Sequence, residues 1–316
     1  MGARHPGEDT VRTMLAAGEL DLVLPAGGHT AHRWAALADW GRADLAVARL
    51  AEGHADAVAI LAEASLRPET GALYGVWAAR SGTHLATFEG GSCVLRGSAR
   101  FCSGAGLIDR ALVVARPIDP AAAPALVEVR LDRGGVHPDA ASWQADGMAR
   151  SDTLDVRFAD VTVERTVGGP GWYTERPGFA LGGGGVAAVW WGGAAGVLRG
   201  AFQHLRDREP DQHQLAHLGE LHALVVAARA LLRDTADGID AAPAGDHGVA
   251  IATTRSAVER SCRDVVDRVP RILGPGVWSG DGRLSTQLAD LQMYVRQHHG
   301  ERDNAALAER LLQEWA

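Results

Sequence analysis

Apolar residues recur at three- and four-residue steps from about Thr30 to Ala64, in "RWAALADWGRADLAVARLAEGHADAVAILAEA". That is the period of an amphipathic helix. It turns Trp34, Leu37, Leu45, Ala48 and Leu50 inward and leaves Asp39, Asp44, Glu52 and Asp56 to face out or cap. From about Tyr74 to Val163 the pattern shortens to alternating or β-branched runs. "YGVWAAR", "THLATFEG", "SCVLRGSARFCSG", "RALVVARPI", "ALVEVRLD", "GGVHPDA", "SWQADG" and "TLDVRFADVTV" are split by Gly, Pro and Asp. They predict short strands whose spacing suits a small barrel or sandwich. From about Gly178 to Ala316 the helical period returns, with long amphipathic segments in "HLGELHALVVAARALLRDTADGID" and "TTRSAVERSCRDVVDRVPRILG". Pro243 and Gly245 mark the loop between these two.

The longest apolar stretch, "GFALGGGGVAAVWWGGAAGVL", is interrupted by eight glycines and predicts a buried helix rather than a membrane span. The chain of 316 residues is long enough for one large core or two to three packed subdomains. Its 47% hydrophobic and 22% charged content is that of an ordinary globular protein. A net charge of -8 with no basic block argues against nucleic acid or an anionic membrane as the main partner. Lysine is absent, as a GC-rich coding bias that also enriches Ala and Arg would produce. Cys93, Cys102 and Cys262 are odd in number and have neither disulfide-framework nor zinc spacing, which fits a reducing cytoplasm. The N-terminal residues lack the apolar core of a signal peptide.

Local motifs carry little chemistry on their own. "CSGAG", Cys102 to Gly106, lacks the spacing of a nucleophile elbow and sits among strands. "GGGG", Gly182 to Gly185, has no following Lys-Ser/Thr and does not follow a strand, so close helix packing explains it better than a phosphate cradle. His213 and His217 share a helix face, His217 and His222 less well, with no third ligand indicated for zinc. His298 and His299 are adjacent and point about a hundred degrees apart on a helix, so they do not share one metal. No metal site is expected.

Several segments, taken in order, resemble the flavin-dependent acyl-CoA dehydrogenases. "RFCSGAGLIDRALVVAR" is similar to the family segment that lies against the flavin ring, which places Phe101, Ser103, Gly104 and Ala105 there. An aromatic side chain can cover a ring face, and a hydroxyl with backbone N–H groups can stabilise charge at the ring edge. "GMARSDTLDVRFADVTV" resembles the strand pair closing the barrel, with Ser151 and Thr153 at positions that meet the cofactor or the substrate cleft. "LGELHALVVAAR" resembles the helix lining the acyl pocket. "RILGPGVWSGDGRLSTQLADLQMY" resembles the loop that meets the FAD pyrophosphate of a neighbouring subunit, with Gly274, Gly276 and Asp290 as its matching positions. Gly276 falls one place before the motif's last glycine, which is Val277 here.

The resemblance implies an α+β multidomain fold. Residues 1–64 would be a short N-terminal helical domain, 65–165 a middle β-barrel and 166–316 a C-terminal four-helix bundle. It implies FAD as cofactor, a small-molecule acyl substrate, CoA-linked or not, and a homo- or hetero-oligomer. Trp190, Trp191 and Trp278 would be core or interface aromatics.

The departures bear on function. The helical region before the barrel is short. The family's Thr-Glu-Pro signature becomes "LAEASLRPET", in which Glu63 keeps the acidic position. Arg206, Arg208 and Gln212 stand in for an eroded Arg and Phe-Gln pair, while Arg271 and Pro275 replace a Gln and a Gly in the pyrophosphate loop. Aligned on Asp290, the family's proton-abstracting Glu falls on His298, and Glu301 lies three residues further on. Three roles for His298 follow: a replacement base of suitable pKa, a hydrogen-bonding group in a flavin enzyme of different chemistry, or a capping residue. The corresponding functions are an acyl-CoA dehydrogenase-like oxidoreductase, an oxygen-dependent flavin hydroxylase of the same fold, and a catalytically silent partner subunit.

Overall fold

The computed structural model describes residues 6–79, 85–89, 92–119 and 121–314. Thr83, His84 and Gly90, expected in a strand, lie outside them, as do Met1 to His5. The chain divides into two compact units, each built from separate stretches of sequence.

The first unit holds 1–22, 49–145 and 149–179. Its helices are α1 (Pro6–Ala16), most of α3 (Leu45–Glu63) and the single turn α4 (Trp172–Glu175). Its strands are β1 (Tyr74–Trp77), β2 (Leu85–Glu89), β3 (Ser92–Cys102), β4 (Arg110–Pro117), β5 (Ala125–Arg130), β6 (Val136–Asp139), β7 (Leu154–Thr162) and β8 (Arg165–Val167). They run in the order β6-β7-β3-β2-β4-β5-β8, with β1 parallel to β4. The expected barrel is not closed among the described residues: β6 and β8 are the free ends, and β2 meets β4 through only two residue pairs. "SWQADG", expected as a strand, is irregular, because the Asp139 carboxylate and carbonyl accept the Ala141 and Ser142 N–H groups and turn the chain out of β6. Ala57, Ile60 and Leu61 of α3 pack on Tyr74, Leu112, Leu126 and Val167 to form a core cluster. Beside it the buried Glu128 carboxylate accepts from the Tyr74 hydroxyl at 2.9 Å, Arg110 at 3.0 Å and Arg165 at 2.6 Å. Four strands are thereby tied through one satisfied charge.

The second unit holds 23–48, 146–148 and 180–316. It contains α2 (Thr30–Ala43), nearly all of α5 (Gly178–Leu205), α6 (Gln212–Ala241), α7 (Gly248–Leu273), α8 (Pro275–Gly280), α9 (Gly282–Tyr294) and α10 (Glu301–Glu314). The single helical period read over 30–64 is in fact two helices. Asp44 is extended and its carboxylate caps Ala46 and Val47, so α3 restarts there. Trp34, Leu37, Leu45, Ala48 and Leu50 are buried as expected, but Glu52 is buried too, paired with Arg49 at 2.5 Å. The glycines of α5 let helices touch backbone to backbone: a Cβ on Gly192 would overlap the Ala38 carbonyl of α2. Trp190 and Trp191 are core residues, and the Trp191 indole donates to the Val225 carbonyl of α6 at 2.8 Å. α5 and α6 are both long and apolar enough to cross a membrane by length and composition alone. The qualifying stretch of α5 is 72% buried within the protein and that of α6 28%. α6 turns Leu218, Leu221, Val225 and Leu232 inward and leaves Leu215 and Val226 exposed.

Candidate functional site

In the first unit the predicted ring-binding residues cluster where β3 ends. The β3–β7 register slips between Ala99 and Cys102, and Phe101 takes a left-handed φ of 59°. That conformation is costly for a bulky residue and marks a place where function or packing demands it. Phe101 is 48% exposed, with the Arg100 guanidinium 4.7 Å from its ring centre. The Asp155 carboxylate holds both residues, accepting from Arg100 at 3.2 Å and from the Phe101 N–H at 3.4 Å.

The turn Ser103 to Gly106 folds against the short 3-10 turn Ala149–Ser151. Gly104 N–H donates to the Ser151 carbonyl at 2.9 Å and Ala105 N–H to the Asp152 carbonyl at 3.1 Å. Gly106 N–H donates to the Asp152 carboxylate at 2.6 Å. All three amides, including those of Gly104 and Ala105 that were expected at the flavin, therefore already have acceptors. The Ser103 hydroxyl is different: it accepts from Thr153 at 2.9 Å and, among the described residues, donates to nothing. Ser151 is fully buried behind Thr153, at 2.7 Å, so it meets no ligand directly. Ala105 is buried as well, and Gly104 lies where a Cβ would sit 2.8 Å from Ile108 and 3.0 Å from Leu50. Phe101 and Ser103 are thus the two members of this group that present a chemical surface.

In the second unit Gly274 and Gly276 flank the start of α8. A Cβ on either would meet nothing within 4 Å, so open space lies beside both, and Gly274 has a φ of 69°. Gly274 N–H is taken by the Pro270 carbonyl at 3.1 Å, and Pro275 has no N–H. Arg271 is paired with Asp267. Asp290 lies on α9. It is 2% exposed and accepts the Met148 N–H at 2.6 Å, fastening a residue whose φ is 61°. Arg206 lines an open groove of about 350 Å³ with Arg199, Phe202 and Gln203.

His298 lies in the turn between α9 and α10 and is 5% exposed. Its Nδ1 accepts the Gly300 N–H at 3.2 Å, which makes the ring neutral with its proton on Nε2. Nε2 faces the Ser256 hydroxyl at 3.4 Å, and that hydroxyl donates to Asn304 at 2.7 Å. Trp190 stands edge-on at 6.5 Å between centroids. Burial lowers the His298 pKa below its ordinary value. His299 points away, exposed and paired with Asp303 at 3.4 Å, and Glu301 is exposed on the first turn of α10. The surroundings of His298 escaped the sequence reading, since Arg255 and Ser256 sit mid-helix in α7 without any motif. Arg255 stacks over Trp190 at 4.8 Å and donates to the Gly183 carbonyl at 2.5 Å. Among the described residues no group of three metal-ligating side chains gathers.

A helical C-terminal region follows a mixed sheet. Residues 169–296 match the family model described as "Acyl-CoA dehydrogenase, C-terminal domain". The helical C-terminal region is therefore similar to the C-terminal domain of the acyl-CoA dehydrogenases. No curated protein matches the sequence. Among solved structures it is similar to TdsC from Paenibacillus sp. A11-2, bound to FMN and indole, with 18% identity and a TM-score of 0.81 over 98% of this chain and 95% of that one. Another structure of TdsC describes it as dibenzothiophene monooxygenase. The chain is also similar to methanesulfinate monooxygenase MsuC from Pseudomonas fluorescens, with 15% identity and a TM-score of 0.72 over 99% and 98% of the two chains. A third similar structure is glutaryl-coenzyme A dehydrogenase bound to glutaryl-CoA, with 19% identity and a TM-score of 0.77 over 92% and 83%. At these identities the likeness is one of fold.

Proposed function

We propose that the protein is a flavin-dependent oxidoreductase of the monooxygenase kind, acting on a small molecule, rather than an acyl-CoA dehydrogenase. One observation carries this reading. The position aligned with the dehydrogenase base holds His298, whose Nδ1 lone pair is used by Gly300 N–H in a buried, neutral ring. A base needs a free lone pair within reach of the proton it takes. His298 instead anchors the turn. The monooxygenase descriptions of TdsC and MsuC support the same choice.

A flavin fits the residues present: Phe101 offers an exposed ring for one face of the isoalloxazine, and the Ser103 hydroxyl offers a donor for its edge. FMN is the better form, as in the TdsC complex. The loop around Gly274 has one N–H already engaged, a proline without one and an arginine already paired, which leaves little to hold the pyrophosphate of FAD. When bound, the flavin supplies two-electron chemistry and, once reduced, reaction with oxygen. Phe101 and Ser103 would bind and orient it, and His298 would keep the α9–α10 turn in place without moving a proton. Three buried free thiols support a reducing, cytoplasmic setting. The exposed Leu215 and Val226 of α6 suit burial against a second copy of the chain, which sedimentation would detect.

The test is flavin titration followed by two assays. FMN should bind, and at least as tightly as FAD. Oxygen should be consumed with reduced FMN and substrate, while acyl-CoA should reduce no artificial acceptor. Acyl-CoA-dependent reduction of a dye without oxygen would refute the reading. A protein that binds neither flavin would return it to a silent partner subunit.

A further inference from the structure

Three hydroxyls stand in line behind the loop that follows β3. Ser151 Oγ lies 2.7 Å from Thr153 Oγ1, and Thr153 Oγ1 donates to Ser103 Oγ across 2.9 Å. A hydroxyl has one proton to give and two lone pairs to accept with. Thr153 gives its proton to Ser103, so the proton between Ser151 and Thr153 belongs to Ser151. The direction of the chain is therefore Ser151 to Thr153 to Ser103. Ser151 is fully buried, Thr153 is 8% exposed and Ser103 9% exposed. Among the described residues the Ser103 proton has no acceptor. The open end of the chain is a donor, and each donation polarises the next.

We infer that Thr153 and Ser151 are positioning residues that lock the Ser103 hydroxyl as a donor, so that this position selects an acceptor atom and binds oxidised flavin more tightly than reduced flavin. The inference rests on the flavin reading above. The edge of an oxidised isoalloxazine presents a ring nitrogen with a lone pair, and in the reduced ring that nitrogen carries hydrogen. An N–H could still donate to the second lone pair of Ser103. The Ser103 proton would then stay unpaired in a largely buried place, which is unfavourable. Turning the chain around would require all three hydroxyls to rotate together.

Thr153 is the position to change, because the Ser151 main chain also holds Gly104 at 2.9 Å. Thr153→Val keeps the shape and removes the lock, and Thr153→Ser restores the hydroxyl. Dissociation constants of oxidised FMN and of FMN reduced under anaerobic conditions are measured for all three proteins. Wild type should favour the oxidised form at least about threefold, and Thr153→Val should bring the ratio close to one. That raises the midpoint potential of bound FMN by about 15 mV for a two-electron couple. Thr153→Ser should keep the wild-type ratio. A wild-type ratio in Thr153→Val, or Thr153→Ser behaving like Thr153→Val, overturns the inference. A wild-type protein that binds no FMN overturns the flavin reading and the redox preference with it. The lock is read independently by neutron diffraction from crystals in heavy water: a Thr153 deuteron directed at Ser103 upholds it, and one directed at Ser151 overturns it.

Discussion

Replacing His298 with asparagine and with alanine separates the hydrogen bond of the ring from its titration. Alanine removes the acceptor of the Gly300 N–H, at 3.2 Å, and the edge-on contact with Trp190, at 6.5 Å. A stranded, mostly buried N–H costs about 1–3 kcal/mol. A lost aromatic pair costs about 0.5–1.5 kcal/mol. His298→Ala should therefore lose about 2–4 kcal/mol, read as a lower urea midpoint of the helical signal. Asparagine places its amide oxygen where Nδ1 stood and should lose about 1 kcal/mol. The pH dependence follows from burial, which holds the folded-state pKa below the ordinary 6.5. Below that pH the unfolded chain takes a proton that the folded ring resists, so the unfolded state binds more protons there. The stability due to the neutral ring is complete above 6.5 and is lost as pH falls through the window beneath it. His298→Asn does not titrate. Its stability relative to wild type should rise steadily between pH 7 and 5, since every other group is common to both proteins. A constant difference across that range, or an alanine variant as stable as wild type, would refute the anchoring role.

Gly192→Ala should cost more than about 3 kcal/mol or abolish soluble expression, because its Cβ overlaps a backbone carbonyl of α2 that cannot turn aside. Gly219→Ala, on the open face of α6 with nothing within 4 Å of its Cβ, is the control and should gain up to about 1 kcal/mol in the same melt. Asp290→Asn should lose about 1–2 kcal/mol, as a charged acceptor of the Met148 N–H becomes a neutral one. Glu52 is pushed up to about 8 by burial, against the pull of Arg49 and with Asp56 adding to the rise. The folded state thus keeps a proton that the unfolded chain releases above 4.5, and stability falls as pH rises from there to about 8. Glu52→Gln should therefore gain on wild type across that window, by roughly 2–4 kcal/mol at its upper end.

Periodicity was enough to locate the helices of 30–64 and 212–273 and most of the strands, because each buries one side on a regular repeat. It could not see the break at Asp44, since a cap is a hydrogen bond and leaves the apolar repeat unchanged. Nor could it tell that Glu52 is buried, because a carboxyl group beside Arg49 looks the same in sequence as one facing water. The reading of Phe101 and Ser103 as a ring-binding loop came from the family resemblance rather than from periodicity.

Which donors remain for a ligand was not legible. Gly104, Ala105 and Gly106 present the same backbone N–H groups on paper, and only the fold supplies Ser151 and Asp152 as their acceptors. Asp290 was likewise read as a cofactor residue from its place in a motif, and the tertiary structure adds that one of its carboxylate oxygens accepts from Met148. The sequence, through its resemblance to the dehydrogenases, placed His298 at the position where they would keep their base. Only the tertiary structure decided what the histidine does, because whether a nitrogen lone pair is free depends on an N–H two residues away whose direction is set by the turn.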